Sequence, residues 1–200
     1  MEKIVLASAS PRRLEILKNI GLEFNVSVPD VDESSVSYSG DAGLYVQELA
    51  LLKAGAAAKK LDVKKNKNTL IISADTVVVS GDEILGKPTD EADAKRMLRE
   101  LSGKAHSVMT GICVFRMSDG FSVCDAVKTD VIFKALSDDL IESYIKTKEP
   151  MDKAGSYGIQ GKGSVLVEKI DGDYFNVVGL PVSRLCDILA DEFGINVLNQ

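Results

Sequence analysis

Histidine, tryptophan and cysteine are scarce in this 200-residue sequence, which has one histidine, no tryptophan and three cysteines. A single histidine, His106, argues against a histidine-rich zinc site and a Ser-His-Asp triad. We expect it to be a packing or hydrogen-bonding residue. Cys113, Cys124 and Cys186 show no CxxC spacing, and their odd number disfavours a disulfide framework. Reduced thiols are therefore predicted, and the sequence leaves open the register that would place Cys113 opposite Cys124.

Long apolar runs and an excess of basic residues are also missing. No run approaches the roughly 20 apolar residues of a membrane span, and IVLASA is shorter than the roughly 7 apolar residues that a signal peptide needs. The net charge of −6 and the pI of about 4.9 disfavour a nucleic-acid partner, because duplex binding requires a basic surface. We predict a cytoplasmic protein that binds neither membrane nor nucleic acid.

What is present is an alternation of apolar, strand-like segments and helical patterns. TLIISADTVVV is apolar and β-branched, which is typical of a strand buried on both faces, and SDGF indicates a hairpin. The predicted strands are 3–7, 69–79, 106–117, 122–135, 165–170 and 174–178. Helices are predicted to begin near residues 11, 42, 90, 138 and 181, and DVKKNKN is predicted to be a basic turn. This order favours an α/β or α+β fold with a mixed sheet.

Asp75 is the clearest departure from this apolar pattern, because it lies in the middle of IISADTVVV. Burying an unpaired carboxylate is costly, so Asp75 should meet a metal, a cation or several hydrogen-bond donors. Carboxylates held in this way often take part in catalysis. The alternative is a purely structural hydrogen-bonding centre.

Two basic residues also fall on apolar helix faces. Arg13 is in line with Ile16, Leu17 and Ile20 at the start of a helix, where the helix dipole favours anions. It could bind a phosphate or carboxylate ligand, or pair with a carboxylate at the edge of the core. Lys53 likewise shares a face with Val46, Leu49, Ala50 and Ala57. The alternative to a ligand-binding role is that its aliphatic stem lies along the helix and carries the ammonium to water.

Further charged residues lie on loops. Asp32 and Glu33 are in VDE, Lys87 is held between a glycine and a proline in GKP, and Asp152 and Lys153 open a glycine-rich segment. Carboxylates for a divalent metal and cations for phosphates are the groups that phosphoryl chemistry uses. GIQGKGS does not fit the Walker A pattern, and no GxGxxG follows a strand.

Seven motifs in order along nearly the whole chain resemble the Maf family of nucleoside triphosphate pyrophosphatases. They are LASASPRR, VDE, SADTVV, GKP, LSGKAHSVMTG, DKAGSYGIQG and NVVGLP. The resemblance implies an elongated α/β fold, with a mixed sheet flanked by helices and two lobes around a central cleft. That fold is similar to the inosine triphosphate pyrophosphatases, and residues 1–200 would form one such domain. Homodimers are common in the family.

The resemblance also implies the reaction and the residues that perform it. A nucleoside triphosphate would be hydrolysed to the monophosphate and pyrophosphate with Mg or Mn. SPRR, DT and IQG resemble the branch that acts on dTTP and UTP, including modified pyrimidines. The catalytic proton acceptor matches Asp75, and the substrate-selecting positions match Arg12, Thr76 and Gln160. Phosphate-binding positions match Ser8, Arg13, Lys53 and Lys87, and Glu33 with Asp75 would hold the metal.

Two other functions remain open at this point. One is a non-enzymatic, nucleotide-binding regulator of cell division, and the other is a nucleotidyl or phosphoryl transferase that uses the same site. Periodicity and resemblance agree on Arg13, Lys53 and Asp75. They differ on Arg12, which periodicity places on the surface.

Overall fold

The computed structural model describes residues 2–62 and 66–199, and its helices and strands are interspersed along the chain. Residues 63–65 of the predicted turn DVKKNKN lie outside the described residues. The helices are α1 (Pro11–Asn19), α2 (Ala42–Lys60), α3 (Glu91–Leu101), α4 (Asp138–Lys146), α5 (Tyr174–Val178) and α6 (Val182–Phe193). The strands are β1 (Lys3–Leu6), β2 (Asn25–Val26), β3 (Thr69–Ser80), β4 (Glu83–Leu85), β5 (Ala105–Arg116), β6 (Ser122–Phe133) and β7 (Val167–Asp171).

The described strands form one mixed sheet in the order β2-β1-β3-β5-β6-β7, and β4 pairs with β3. Strands β2 and β3 are parallel to β1. Strand β4 is antiparallel to β3, and strand β7 is antiparallel to β6. Parallel pairs need long crossovers, which α1 and α2 supply. The predicted α/β fold with a mixed sheet and flanking helices is confirmed. Among the described residues, no helix combines the length and apolar character needed to cross a bilayer.

The chain divides into two compact units. The first comprises the residues up to Asp75, Thr110–Val127 and those from Gly179 onward, and the second comprises Thr76–Met109 and Lys128–Val178. That these units are the two lobes of a single domain around a cleft stays a prediction.

In the first unit, small residues let α2 pack closely on the strands. The inward face of α2 carries three alanines with no exposed surface: Ala50, Ala54 and Ala57. The Ser73 hydroxyl of β3 donates a hydrogen bond of 2.6 Å to the Ala50 carbonyl oxygen. At Gly111 of β5, a Cβ would lie only 2.2 Å from the carbonyl oxygen of Val46, so only glycine fits there without a shift. These contacts fix the distance of α2 from β3 and β5.

The register of the β5–β6 hairpin places Cys113 opposite Cys124. The Arg116 N–H donates to the Phe121 carbonyl oxygen at 2.8 Å, so these two residues face each other near the turn. Cys113 and Cys124 each lie three residues further from the turn, and they therefore face each other as well. A hydrogen bond between the two side chains lowers the pKa of Cys124. Both cysteines are free thiols.

Residues 174–178 form the helix α5, so the predicted strand at these positions is wrong. The Asp173 carboxylate accepts a hydrogen bond of 2.7 Å from the Phe175 N–H, which favours a helical turn at that point. Asn176 is completely buried and donates from its amide to the Val108 carbonyl oxygen at 3.0 Å and to Thr129 Oγ1 at 2.9 Å. Because the run YFNVV is short, its apolar character alone could not distinguish strand from helix.

The second unit has a core in which His106 packs among aromatic rings. His106 is 4% exposed, its Nε2 lies 2.8 Å from the Tyr157 hydroxyl, and its ring makes an edge contact with Phe133. Burial lowers the pKa of His106 to about 4, although the Asp130 carboxylate acts in the opposite direction. The expectation of a packing and hydrogen-bonding histidine is confirmed.

We expect His106 to make the protein less stable in mild acid. Its pKa is about 4 when folded and about 6.5 when unfolded, so the unfolded state binds more protons between these values. Stability therefore falls as the pH decreases from about 6.5 to 4, by about 3 kcal/mol from this group. Urea unfolding of the wild type and of His106→Gln at several pH values measures the effect. The carboxylates contribute equally to the pH dependence of both proteins. If the free energy of unfolding changed with pH by the same slope in both, the prediction would be contradicted.

Candidate functional site

Asp75 lies on β3 with only 8% of its surface exposed, and the ammonium group of Lys53 on α2 pairs with it. The same ammonium lies 2.8 Å from Glu33 Oε1. The side chain of Lys53 is 12% exposed and that of Glu33 is 55% exposed. One cation thus joins a buried carboxylate to a solvent-facing one. The predicted position of Lys53 on the inward face of α2 is confirmed, and its ammonium pairs with carboxylates instead of extending to water.

Arg13 connects the first turn of α1 to the strand that carries Asp75. Its Nε donates to the Gly179 carbonyl oxygen at 2.7 Å, and its Nη1 donates to the Ala74 carbonyl oxygen at 2.8 Å. Nη1 also contacts Ser8 Oγ at 3.4 Å. Burial lowers the pKa of Arg13, while the negative charge of Asp75 raises it. Arg13 therefore fixes the peptide next to Asp75, in addition to any contact with a phosphate.

Ser8 is buried in the turn between β1 and α1, and its hydroxyl accepts the Ser10 N–H at 3.1 Å. This bond shapes the turn so that Arg13 reaches β3. Ser10 is the N-cap residue of α1, but its side chain makes no cap hydrogen bond. Pro11 occupies the first helical position, where its missing N–H costs no helical hydrogen bond.

Tyr45 is a neighbour of the charged cluster that the sequence reasoning missed. Burial raises its pKa, and the charges of Asp75 and Glu33 raise it further. Its ring makes an edge contact with Tyr38 at a centroid distance of 5.6 Å. Tyr45 precedes Lys53 by eight residues, so both lie on the same stripe of α2, and this spacing is the signal that could have identified it. The Gly179 carbonyl offered no such signal, because a backbone acceptor has no signature in the residue type.

The remaining predicted residues have the following positions. Arg12 is half-buried on α1, and its charge lowers the pKa of Arg13. Thr76, Lys87 and Gln160 belong to the second unit. Thr76 is half-buried on β3, Lys87 is exposed before the buried Pro88, and Gln160 is half-buried. Their roles stay predictions.

Carboxylates are the groups of this cluster that could hold a divalent metal. Glu33 and Asp75 both bond the Lys53 ammonium, so their oxygens lie close enough to share one cation. Mg²⁺ is commonly held by one or two carboxylates together with water and substrate phosphates. Within residues 2–62 and 66–199, no group of three or more His, Cys, Asp and Glu side chains could form a metal site. The donor set therefore fits a metal that the substrate helps to bind.

Comparison with known proteins gives matches along nearly the whole chain. The family model described as Maf-like protein matches residues 3–192. The dTTP/UTP pyrophosphatase of Acetivibrio thermocellus is 54% identical over 202 residues, covering 100% of both chains. That of Alkaliphilus metalliredigens is 50% identical over 198 residues, covering 99% of this chain and 100% of the relative.

A further relative and a solved structure are also similar. The dTTP/UTP pyrophosphatase of Clostridium novyi is 49% identical, covering 98% of this chain and 100% of its own. A solved HAM1 protein from Coxiella burnetii is 20% identical with a TM-score of 0.46, covering 66% of this chain and 73% of that one. The match to residues 3–192 and the full-length relatives show that this chain belongs to the Maf family.

Proposed function

We propose that this chain is a hydrolase that converts dTTP and UTP to their monophosphates and pyrophosphate. Relatives with about half of their residues identical over the full length carry the name dTTP/UTP pyrophosphatase. The observation that carries the proposal is the buried Asp75 carboxylate, which pairs with Lys53 beside Glu33. A buried carboxylate among cations is the arrangement that hydrolysis of a polyanion needs.

In the proposed mechanism Asp75 is the proton acceptor. Its carboxylate takes a proton from the water that attacks the α-phosphorus, the bond to the bridging oxygen breaks, and pyrophosphate leaves. Lys53 stays beside Asp75 and holds the carboxylate in its orientation. Lys53, Lys87 and Arg13 stabilise the negative charge that develops on the leaving group, and Ser8 positions Arg13.

Glu33 and Asp75 are the residues that we propose to hold Mg or Mn. When bound, such an ion neutralises triphosphate charge and helps to orient the chain of phosphates. Arg12, Thr76 and Gln160 are proposed to select the nucleotide. A site that hydrogen-bonds its substrate can reject an analogue without the matching group by about 10⁴-fold or more.

The direct test is product analysis with the purified chain. Each of the common ribo- and deoxyribonucleoside triphosphates is incubated with Mg or Mn, and a sample with a chelator serves as the control. We expect pyrophosphate and monophosphate in equal amounts, fastest from dTTP and UTP. Orthophosphate with diphosphate would contradict the proposed cleavage site. Nucleotide binding without any product would instead indicate a non-enzymatic regulator, and a transferred nucleotidyl or phosphoryl group would indicate a transferase.

We also propose that the protein works as a homodimer in the cytoplasm. The dimer rests on family membership, and the location rests on the chemistry of the sequence. Light scattering during size-exclusion chromatography should give twice the chain mass of 21.5 kDa. A mass of one chain at micromolar concentration would contradict the dimer.

A further inference from the structure

The glycine-rich segment GIQGKG, residues 158–163, lies against the side chains of Tyr144 and Glu149 in the second unit. A Cβ on Gly163 would lie 2.2 Å from the Gly158 carbonyl oxygen and 2.6 Å from the Tyr144 hydroxyl. A Cβ on Gly161, where φ is +66°, would lie 3.0 Å from Glu149 Oε2. These glycines are therefore required by the close approach of protein groups.

The Glu149 carboxylate binds the second half of this segment. Oε1 accepts the Gly163 N–H at 3.0 Å, and Oε2 accepts the Lys162 N–H at 3.1 Å. The Tyr144 hydroxyl donates to Oε1 at 3.1 Å. Burial alone would raise the pKa of Glu149. These three hydrogen bonds and the charge of Lys153 together outweigh burial, so the pKa is lowered from its ordinary value. The carboxylate is thus ionised at neutral pH and makes charge-assisted bonds.

The first half of the segment is bound by Tyr144. Its hydroxyl accepts the Gly158 N–H at 3.1 Å while it donates to Glu149. Tyr144 is 3% exposed and belongs to the apolar core of the second unit. Both ends of the segment that carries Gln160 are therefore hydrogen-bonded to one tyrosine–glutamate pair, and the core holds the tyrosine in place.

Glu149 is itself fixed to its surroundings. Its N–H donates to Thr147 Oγ1 at 3.2 Å, and its carbonyl oxygen accepts from the Lys153 ammonium at 2.6 Å. The preceding residue, Lys148, has a φ of +63°, which is a strained conformation for a residue with a side chain. A backbone held by so many bonds presents the carboxylate in one orientation.

The need for such rigidity follows from the chemistry of the glutamine side chain. Thymine and uracil present O4 as an acceptor where cytosine presents an amino donor. A glutamine amide has both a donor and an acceptor, so after a rotation it can pair with either base. It discriminates between them only when its backbone and side chain are held, and a displacement of about 1 Å can cost roughly 100-fold in rate.

We propose that Glu149 and Tyr144 are positioning residues that hold Gln160 for selection of thymine and uracil over cytosine. This inference rests on the proposed function, and it assigns to two residues outside the seven motifs a role in the same specificity. Neither residue is proposed to touch the nucleotide. They act through the N–H groups of Gly158, Lys162 and Gly163.

The test compares Glu149→Gln and Tyr144→Phe with the parent protein. Glu149→Gln keeps the shape of the side chain but places an amide donor against a backbone N–H. Tyr144→Phe keeps the ring in the core and removes only the hydroxyl. Binding of dTTP and dCTP is measured by calorimetry in an Asp75→Asn background, so that turnover does not interfere. We expect the preference for dTTP over dCTP to fall by roughly tenfold or more in both variants.

A double-mutant cycle separates positioning from general damage to the fold. Gln160→Ala alone should lose the same preference, and Glu149→Gln combined with Gln160→Ala should lose no more than Gln160→Ala alone. Glu142→Gln is the matched control, because Glu142 is a glutamate of α4 in an ion pair with Lys95 on the surface. It should leave the preference unchanged.

Amide hydrogen exchange gives a second readout that does not depend on nucleotides. The N–H groups of Lys162 and Gly163 should exchange faster in Glu149→Gln, and that of Gly158 should exchange faster in Tyr144→Phe. Retention of the dTTP preference in both variants, or additive losses with Gln160→Ala, would overturn the inference and leave the proposed function intact. A parent protein that binds no nucleotide would overturn both.

Discussion

Replacing Asp75 with asparagine should reduce pyrophosphate release by roughly 100- to 10,000-fold, which is the usual contribution of a general base. The amide has nearly the same size as the carboxylate but cannot accept the proton of the attacking water. Lys53 keeps its contact with Glu33 at 2.8 Å, so the cation retains a partner and the fold should persist. Turnover is measured as pyrophosphate formed from dTTP, and folding by circular dichroism and thermal melting.

Nucleotide affinity distinguishes this role from a structural one. Without added divalent metal, which Asp75 is proposed to help hold, removal of a negative charge near the phosphates should leave dTTP binding as tight as in the wild type or tighter. Asp125→Asn is a suitable control, because Asp125 also lies on a strand and contacts an arginine, with its Oδ2 at 2.5 Å from Arg184 Nε. It should retain full turnover. If Asp75→Asn keeps turnover within a few-fold of the wild type, Asp75 is not the proton acceptor.

Replacing Gly111 with alanine should destabilise the protein by about 3 kcal/mol, at the upper end of the usual cost of overpacking. The new Cβ would lie 2.2 Å from the Val46 carbonyl oxygen, and that atom belongs to the backbone of α2, so no side-chain rotation relieves the clash. The helix must move away from β5. Lys53 lies on the same helix, so turnover should fall together with stability.

Gly55 provides the matched control on the same helix. A Cβ there meets no atom within 4 Å, and Gly55 lies in the interior of α2. Gly55→Ala should therefore stabilise the protein by about 0.5–1 kcal/mol. Thermal melting of both variants tests the pair, with an expected decrease of roughly 6–12 °C for Gly111→Ala. Equal melting temperatures for Gly111→Ala and the wild type would show that α2 does not contact β5 in this way.

The fold was predictable where the sequence pattern is strong and local. The strand with Asp75 and the amphipathic helix α3 both follow from apolar spacing, and both are confirmed. The error at residues 174–178 arose because tertiary hydrogen bonds of Asn176 decide the conformation of a short apolar run. Periodicity sees only neighbours along the chain, so such bonds are outside its reach.

The same limit applies to the candidate site. The positions of Lys53 and Asp75 were indicated by charge at apolar positions, because a buried charge requires a partner. The contacts of Arg13 with two backbone carbonyl groups could not be predicted, since every residue has such an acceptor. Glu149 was also missed, because its importance depends on the close approach of glycines that the sequence shows only as a glycine-rich run.

The Arg13 guanidinium takes its two backbone acceptors from distant parts of the chain, at Ala74 and Gly179. During synthesis on a ribosome, Gly179 emerges about a hundred residues after Ala74. The nascent chain therefore lacks one acceptor of this arginine until about a hundred further residues have been made. Arg13 can hold both backbone acceptors, and so fix the peptide next to Asp75, only after that point.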